Sequence, residues 1–329
     1  MFKLKNKYFT LGLLILLTMG LSACNTPHRL SGNGLKPSDL NTQNVVRLEK
    51  GEMEVAFADN TAFGEHHRAK YNGIAELYHS AQDSSIFVPF YAGFNLEHIF
   101  GGDSLTELFE PRTHPMELYQ VSDSEVQLYQ SSTPLSSVES LTTFKLVPPH
   151  YIDVTYQFVI HDSEFFKHNY AGFFWASYIH APADKKIYFQ GNKKSSNAIN
   201  WVSAFSTEHG VNSTHKSKQD SESIYFAPNF NATLASHFSE YEYHVPFYYG
   251  RFHNMALAFM FHPGEGIRFS QSPTGGGNAN PAWDFQFIVP DFEVGKKYSF
   301  QARVMYKEFE GSDEVLAEYE LWKKKRLPR

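Results

Sequence analysis

Thr142-Thr143-Phe144-Lys145-Leu146-Val147, then Pro148-Pro149, then Tyr151-Ile152-Asp153-Val154-Thr155-Tyr156-Gln157-Phe158-Val159-Ile160 is the stretch that decides the fold. In its second run, apolar Ile152, Val154, Tyr156 and Phe158 alternate with polar Asp153, Thr155 and Gln157. Successive side chains of an extended chain point to opposite faces, so a period of two predicts a strand with one buried face. Met53, Val55 and Phe57 repeat the pattern against Glu52, Glu54 and Ala56. Similar short runs lie at 86–90, 125–130, 172–179, 186–190, 223–227, 245–251, 255–261, 283–289 and 298–306. Turn formers separate them, among them Ala181-Pro182-Ala183-Asp184, Pro263-Gly264-Glu265-Gly266 and Thr274-Gly275-Gly276-Gly277. Many short aromatic and β-branched strands with turns between them predict an all-β fold, a large two-sheet antiparallel sandwich. No amphipathic helix recurs between the strands, which argues against a βαβ fold and its nucleotide crevice.

One helix is expected, at the C-terminus over 312–325. Ser312 would cap it, Asp313 and Glu314 suit its first turn, and the basic residues from Lys323 suit its last. Val315, Tyr319 and Trp322 then fall on one face.

Composition sets the outer limits. Thirty Phe, 19 Tyr and 4 Trp among 329 residues, with 42% hydrophobic content, supply a large core and exclude a disordered chain. A single cysteine excludes an intramolecular disulfide framework and any cysteine-based zinc or iron–sulfur site. A net charge of −6 argues against nucleic acid as a partner.

The N-terminus carries an address. Lys3, Lys5 and Lys7 precede the apolar run 11–21 and then Leu21-Ser22-Ala23-Cys24. A basic start, a short apolar core and small residues before a cut site describe an export signal. That run is too short to span a bilayer comfortably, which takes ~20 residues. The one cysteine stands where the bacterial lipoprotein signal requires it, and the tetrapeptide resembles that lipobox. The resemblance implies cleavage before Cys24 and acylation of its thiol and new amino group, a membrane anchor worth ~0.8 kcal/mol per buried methylene. Asn25 in place of Asp resembles a lipoprotein sorted to the outer membrane of the bacterial envelope. The expected organisation is a signal peptide over 1–23, lipidated Cys24 with a polar, Gly/Pro/Ser-rich tether over 24–49, and a single sandwich domain over 50–329.

Size and strand count resemble the galactose-mutarotase-type supersandwich, a fold of sugar epimerases, polysaccharide lyases and glycan-binding proteins. The segments 173–178, 270–277 and 280–284 resemble stretches of uncharacterised bacterial proteins and bring no function with them. The first resemblance implies a carbohydrate ligand or substrate but supplies no motif that aligns to catalytic positions.

Candidate residues therefore rest on their own chemistry. His209 and His215 bracket a polar, glycine-containing stretch read as a loop, and a pair of histidines can serve as acid and base near neutral pH. Glu97 and His98 are adjacent, and in an extended chain they point to opposite faces, so they do not form a pair directly. Glu65-His66-His67-Arg68 reads as an exposed turn. Around Gly275-Gly276-Gly277 stand Arg268, Asn280, Trp283 and Asp284, the residue types that bind sugars: an aromatic face for the C–H side, polar groups for the hydroxyls, and Arg for a uronic carboxylate. Asp162 and Glu164 lack the spacing of a calcium loop, and no cofactor or metal motif stands in a supporting context.

Three functions fit. The first is proton transfer on a sugar, as epimerase, lyase or hydrolase, with His209 or His215 as acid or base, Glu97 and His98 as further candidates, and Arg268 and Trp283 holding the ring. The second is non-catalytic glycan capture in an open aromatic groove. The third is a structural envelope protein with an exposed apolar patch for a protein partner.

Overall fold

The computed structural model describes residues 34–64 and 67–324. The signal peptide, Cys24, Glu65, His66 and the last residue of the expected helix, Lys325, lie outside the described residues.

The strands form an all-β antiparallel sandwich. Val138–Val147 and Tyr151–Ile160 pair in antiparallel register across the cis Pro148-Pro149 turn, as their alternation predicts. From them a sixteen-stranded sheet extends both ways, and a three-stranded sheet of Val45–Lys50, Met53–Ala58 and Gly73–His79 packs against it. Pairing among the described strands is antiparallel apart from Thr214–Ser217 beside Phe238–Tyr243. The large sheet curls until its two halves face each other. Trp175 and Phe285 of one half stack 5.0 Å apart, and Tyr156 and Phe300 of the other meet Trp175 at 4.8 and 5.1 Å. The small sheet closes the same core through Phe57, 5.1 Å from Phe144. Rings of this size each bury a large apolar area, and their edge-to-face packing adds about 0.5–1.5 kcal/mol per pair beyond area.

Several expectations are corrected. The body begins at Leu35, inside the stretch 24–49 expected as tether. Leu35 is buried, its N–H donates to Glu139 Oε1 at 2.8 Å, and Val45–Lys50 is a full strand. The runs 86–90 and 223–227 are irregular rather than strands. Short polar strands that the sequence conceals, such as Thr214–Ser217, are held by their neighbours on both sides.

The C-terminal helix is present as Ser312–Lys323, with Val315, Tyr319 and Trp322 buried. Gly311 rather than Ser312 occupies the cap position. The Ser312 hydroxyl is instead hydrogen-bonded to the Tyr249 hydroxyl at 2.6 Å.

The outward face of Asn95–Phe100, Tyr170–Ala176, Ile267–Ser272 and Ala282–Pro290 positions the polar groups that matter. Part of it is covered by the irregular segment 218–237, whose Leu234 carbonyl accepts hydrogen bonds from Thr214, Ser270 and Gln286.

Candidate functional site

A β-bulge builds the site. Phe174 pairs with His98 and Trp175 with Leu96, so Glu97 is an extra residue in its strand. Leu96 and Ile99 face the core, and the extra residue lets Glu97 follow His98 onto the outward face. The two side chains that alternation would separate thus become neighbours, with His98 Nε2 3.9 Å from Glu97 Oε1. The bulge is held by Asn72, whose side-chain oxygen accepts the Leu96 N–H and whose amide donates to the Leu96 carbonyl, at 3.0 and 3.1 Å.

Arg112 and Tyr178 complete the cluster. Arg112 sits on the short helix Glu110–Thr113, which is fixed because the Glu110 carboxylate accepts the N–H groups of Leu135 and Ser136. Its Nη1 donates to Glu97 Oε1 at 3.2 Å and its Nε to the Lys70 carbonyl at 2.9 Å. The Tyr178 hydroxyl donates to Glu97 Oε2 at 2.9 Å. Burial, with Glu97 adding to it, pushes the Tyr178 hydroxyl well above its ordinary range, so it stays a donor.

Burial likewise lowers the His98 pKa, against the opposing charge of Glu97. The imidazole is therefore neutral at pH 7. Its Nδ1–H donates to the Leu108 carbonyl at 2.5 Å, which leaves Nε2 as a bare acceptor on the Glu97 side.

Aromatic rings flank these groups. Tyr71, Tyr91 and Tyr178 lie with centroids 4.5 to 5.5 Å apart. Arg112 stacks 4.0 Å over Tyr71 and 4.7 Å over the exposed ring of Phe109. Exposed Phe90 is held with φ at +71°, a conformation that bulky residues rarely adopt. Gly276 approaches Val88 and Tyr178 where a Cβ would stand 3.1 and 3.5 Å from them.

The residues expected from sequence divide into those the fold brings here and those it does not. Glu97 and His98 form the centre. His209 is exposed, hydrogen-bonded to Ser272 Oγ at 3.1 Å, and near enough for its charge to oppose protonation of His98. Asp284 is fully buried near Glu97, with Oδ1 accepting the Ser177 N–H at 3.0 Å. Burial raises its pKa well above the ordinary carboxylate value, with the nearby charge of Glu97 adding to the rise.

His215 is a core residue rather than an acid–base group. Gln271 donates to its Nε2, its Nδ1–H meets Ser239 Oγ at 2.6 Å, and burial pushes its pKa down to about 3. Trp283 is wholly buried against Gly250 with its indole N–H on the Lys185 carbonyl, so it offers no face to a sugar. Asn280 ties the glycine turn, donating to the Gly276 carbonyl at 2.8 Å and accepting the Ala181 N–H at 2.9 Å. Arg268 lies outside the cluster and is paired with Asp220 at 2.7 Å. His67 is buried rather than exposed, and its Nε2 lies 2.6 Å from the Tyr71 carbonyl, fixing that backbone. Tyr71, Arg112 and Tyr178 were missed, because nothing local marks residues 41 and 66 positions apart as neighbours.

A second cluster, Glu52, His79 and His150, has the ligand types and proximity for a metal ion. Its atoms are occupied otherwise. His79 Nδ1 accepts the Ala81 N–H, so His79 Nε2–H and His150 Nδ1–H both donate to Glu52 Oε2, at 3.1 and 2.9 Å. A cation would have to displace both protons and turn His79 Nδ1 against a backbone donor.

No protein-family model matches the chain, and no curated protein matches it by sequence. Solved structures resemble it distantly. A protein of Escherichia coli K12 given the provisional name aldose 1-epimerase is 10% identical over 80% of this chain and 99% of its own, with a TM-score of 0.48. Heparan sulfate lyase HepC of Pedobacter heparinus is 10% identical over 82% of this chain, with a TM-score of 0.41. The 4-alpha-glucanotransferase of Thermococcus litoralis is 10% identical over 79% of this chain, with a TM-score of 0.37. This chain spans only 35% and 37% of the last two. Likenesses so distant carry neither an activity nor a residue assignment across.

Proposed function

We propose that the Glu97 cluster is a carbohydrate site where proton transfer takes place. The observation that carries this reading is the bulge that sets Glu97 beside His98 under Arg112 and Tyr178. His98 Nε2 is the proton acceptor. Arg112 and Tyr178 donate to negative oxygen, whether that of Glu97 or one developing on the substrate. The tyrosine rings and Phe109 supply aromatic faces for the C–H side of a sugar. An epimerase, lyase or hydrolase each needs such a set.

The lipobox at Cys24 supports a place for this activity, on a lipid anchor in the bacterial envelope and at the outer membrane. Fatty-acid labelling of the expressed full chain, lost in Cys24→Ser, tests the anchor.

The site is tested by thermal unfolding of the full chain against neutral sugars, uronic acids and oligosaccharides. A ligand at 100 times its Kd adds about 2.7 kcal/mol. Proton NMR of the sugar that shifts the transition then reads conversion, and His98→Gln should slow it by about 10²–10⁴-fold. A sugar shift that survives both Glu97→Gln and His98→Gln would place the site elsewhere.

A further inference from the structure

The strand Asn200–Ala204 branches off the large sheet as an edge. It pairs with Ile187–Gly191 alone, so its other side presents backbone N–H and C=O groups to no strand among the described residues. Proteins blunt such edges with charge, proline or a cover, because an open edge is a template for another chain. Val45–Lys50, at the edge of the small sheet, carries Arg47, Glu49 and Lys50. Residues 195–207 hold neither a charge nor a proline.

The outward face of this edge is apolar as well. Val202 and Ala204 are buried in the core, so alternation carried one residue past each end of the strand turns Ile199, Trp201, Ser203 and Phe205 the other way. Ile199 is 56% exposed and Phe205 43%, and Ser203 is exposed between them. Trp201 is half-buried and fixed. Its ring meets Phe247 and Tyr249 edge to face at 6.0 Å, and its Nε1–H donates to Asp313 Oδ1 at 3.3 Å. An open backbone edge and a rigid apolar row lie along the same five-residue strand.

Charge and symmetry select the occupant. A neutral strand repels no copy of itself and offers a charged partner no counter-ion. The nearest charges lie beyond its ends and are mixed in sign: Lys193, bonded to Glu240, and Lys194 at one, Asp184, Lys185, Lys186 and Glu208 at the other. Val202 is the middle residue of the strand. Antiparallel pairing about a two-fold axis at Val202 uses the full length and sets each residue opposite the one equally far beyond the centre. Ile199 then faces Phe205 of the second copy, and Phe205 faces its Ile199, at the cross-strand spacing of about 5 Å between Cβ atoms. Both exposed apolar side chains leave water in each copy, and Trp201 falls opposite Ser203, so large rings do not collide. We infer that the strand Asn200–Ala204 joins two copies of this chain edge to edge. Each strand has one free edge, so pairing consumes it and assembly through it stops at two. The pairing is independent of the Glu97 cluster and of what that cluster binds.

The test is photo-crosslinking of the purified full chain with p-benzoylphenylalanine incorporated at position 205. An adduct of two chains is expected, with its junction at Ile199 or its immediate neighbours by tandem mass spectrometry. Ser203→Lys sets two ammonium groups beside the axis and should lower the yield more than about tenfold, as should Ile199→Asp. Both positions are exposed, so the thermal unfolding midpoint should stay that of the parent chain. The same probe at position 321, exposed on the C-terminal helix, should give no two-chain adduct. Absence of the adduct from position 205 overturns the inference, as does a yield unchanged in both variants. An equal adduct from position 321 also overturns it, since it reports clustering without a defined face. A junction within residues 1–33 does so too, and assigns the edge to the chain's own N-terminal segment.

Discussion

Replacing Arg112 by Met should expose how the candidate site is held together. The guanidinium donates to Glu97 Oε1 at 3.2 Å and to the Lys70 carbonyl at 2.9 Å, and its plane covers Tyr71 at 4.0 Å. Arg112 and Glu97 are nearly buried, with side-chain exposures of 9% and 11%, so solvent screens the pair little. Methionine keeps most of the volume but leaves Glu97 with the Tyr178 hydroxyl as its remaining close donor. Breaking one side of a buried pair costs about 3–5 kcal/mol, chiefly because a charge is left unmatched. Loss of the stacked cation adds about 0.5–2 kcal/mol. In urea unfolding followed by circular dichroism, Arg112→Met should therefore lose roughly 3.5–7 kcal/mol. Arg112→Met combined with Glu97→Gln removes the unmatched charge and should recover more than half of that loss. A single variant within about 1 kcal/mol of wild type, or a double variant no better than the single, would refute this account of the cluster.

Other consequences can be checked the same way. At Gly250 a Cβ would stand 2.3 Å from the Trp283 ring, so Gly250→Ala should cost about 1–3 kcal/mol through overpacking, with a shift in tryptophan fluorescence. His215 has its pKa depressed to about 3 in the folded state against 6.5 in the unfolded chain, so the unfolded state binds the extra proton between those values. Stability is full above about pH 6.5 and falls with acid at up to about 1.4 kcal/mol per pH unit through this one group. In His215→Gln the slope of unfolding free energy between pH 6 and 4 should flatten by about that amount, and an unchanged slope would show that the ring is not held neutral.

The strands were legible because their signal is local. Ile152, Val154, Tyr156 and Phe158 needed no distant partner to announce a buried face, and Val315, Tyr319 and Trp322 likewise marked the buried stripe of the helix. Thr214–Ser217 was not legible. It reads as part of a polar loop, and only pairing with strands on either side makes it a strand.

Local rules also misled at the site. Strict alternation separates Glu97 from His98, and a single extra residue in the strand returns them to the same face. Trp283 and Asn280 have the right chemistry for a sugar, yet one is in the core and the other closes a turn.

What the sequence by itself determined is the all-β character, most of the strands and the C-terminal helix, since backbone geometry imposes periods of two and 3.6 on any chain. The tertiary structure alone decided which polar groups meet. Tyr71, Glu97, Arg112 and Tyr178 converge through sheet register, a bulge and a short helix pinned by Glu110, and Arg268 is drawn away to Asp220. Such encounters depend on contacts between residues far apart in the chain, and no local pattern encodes them.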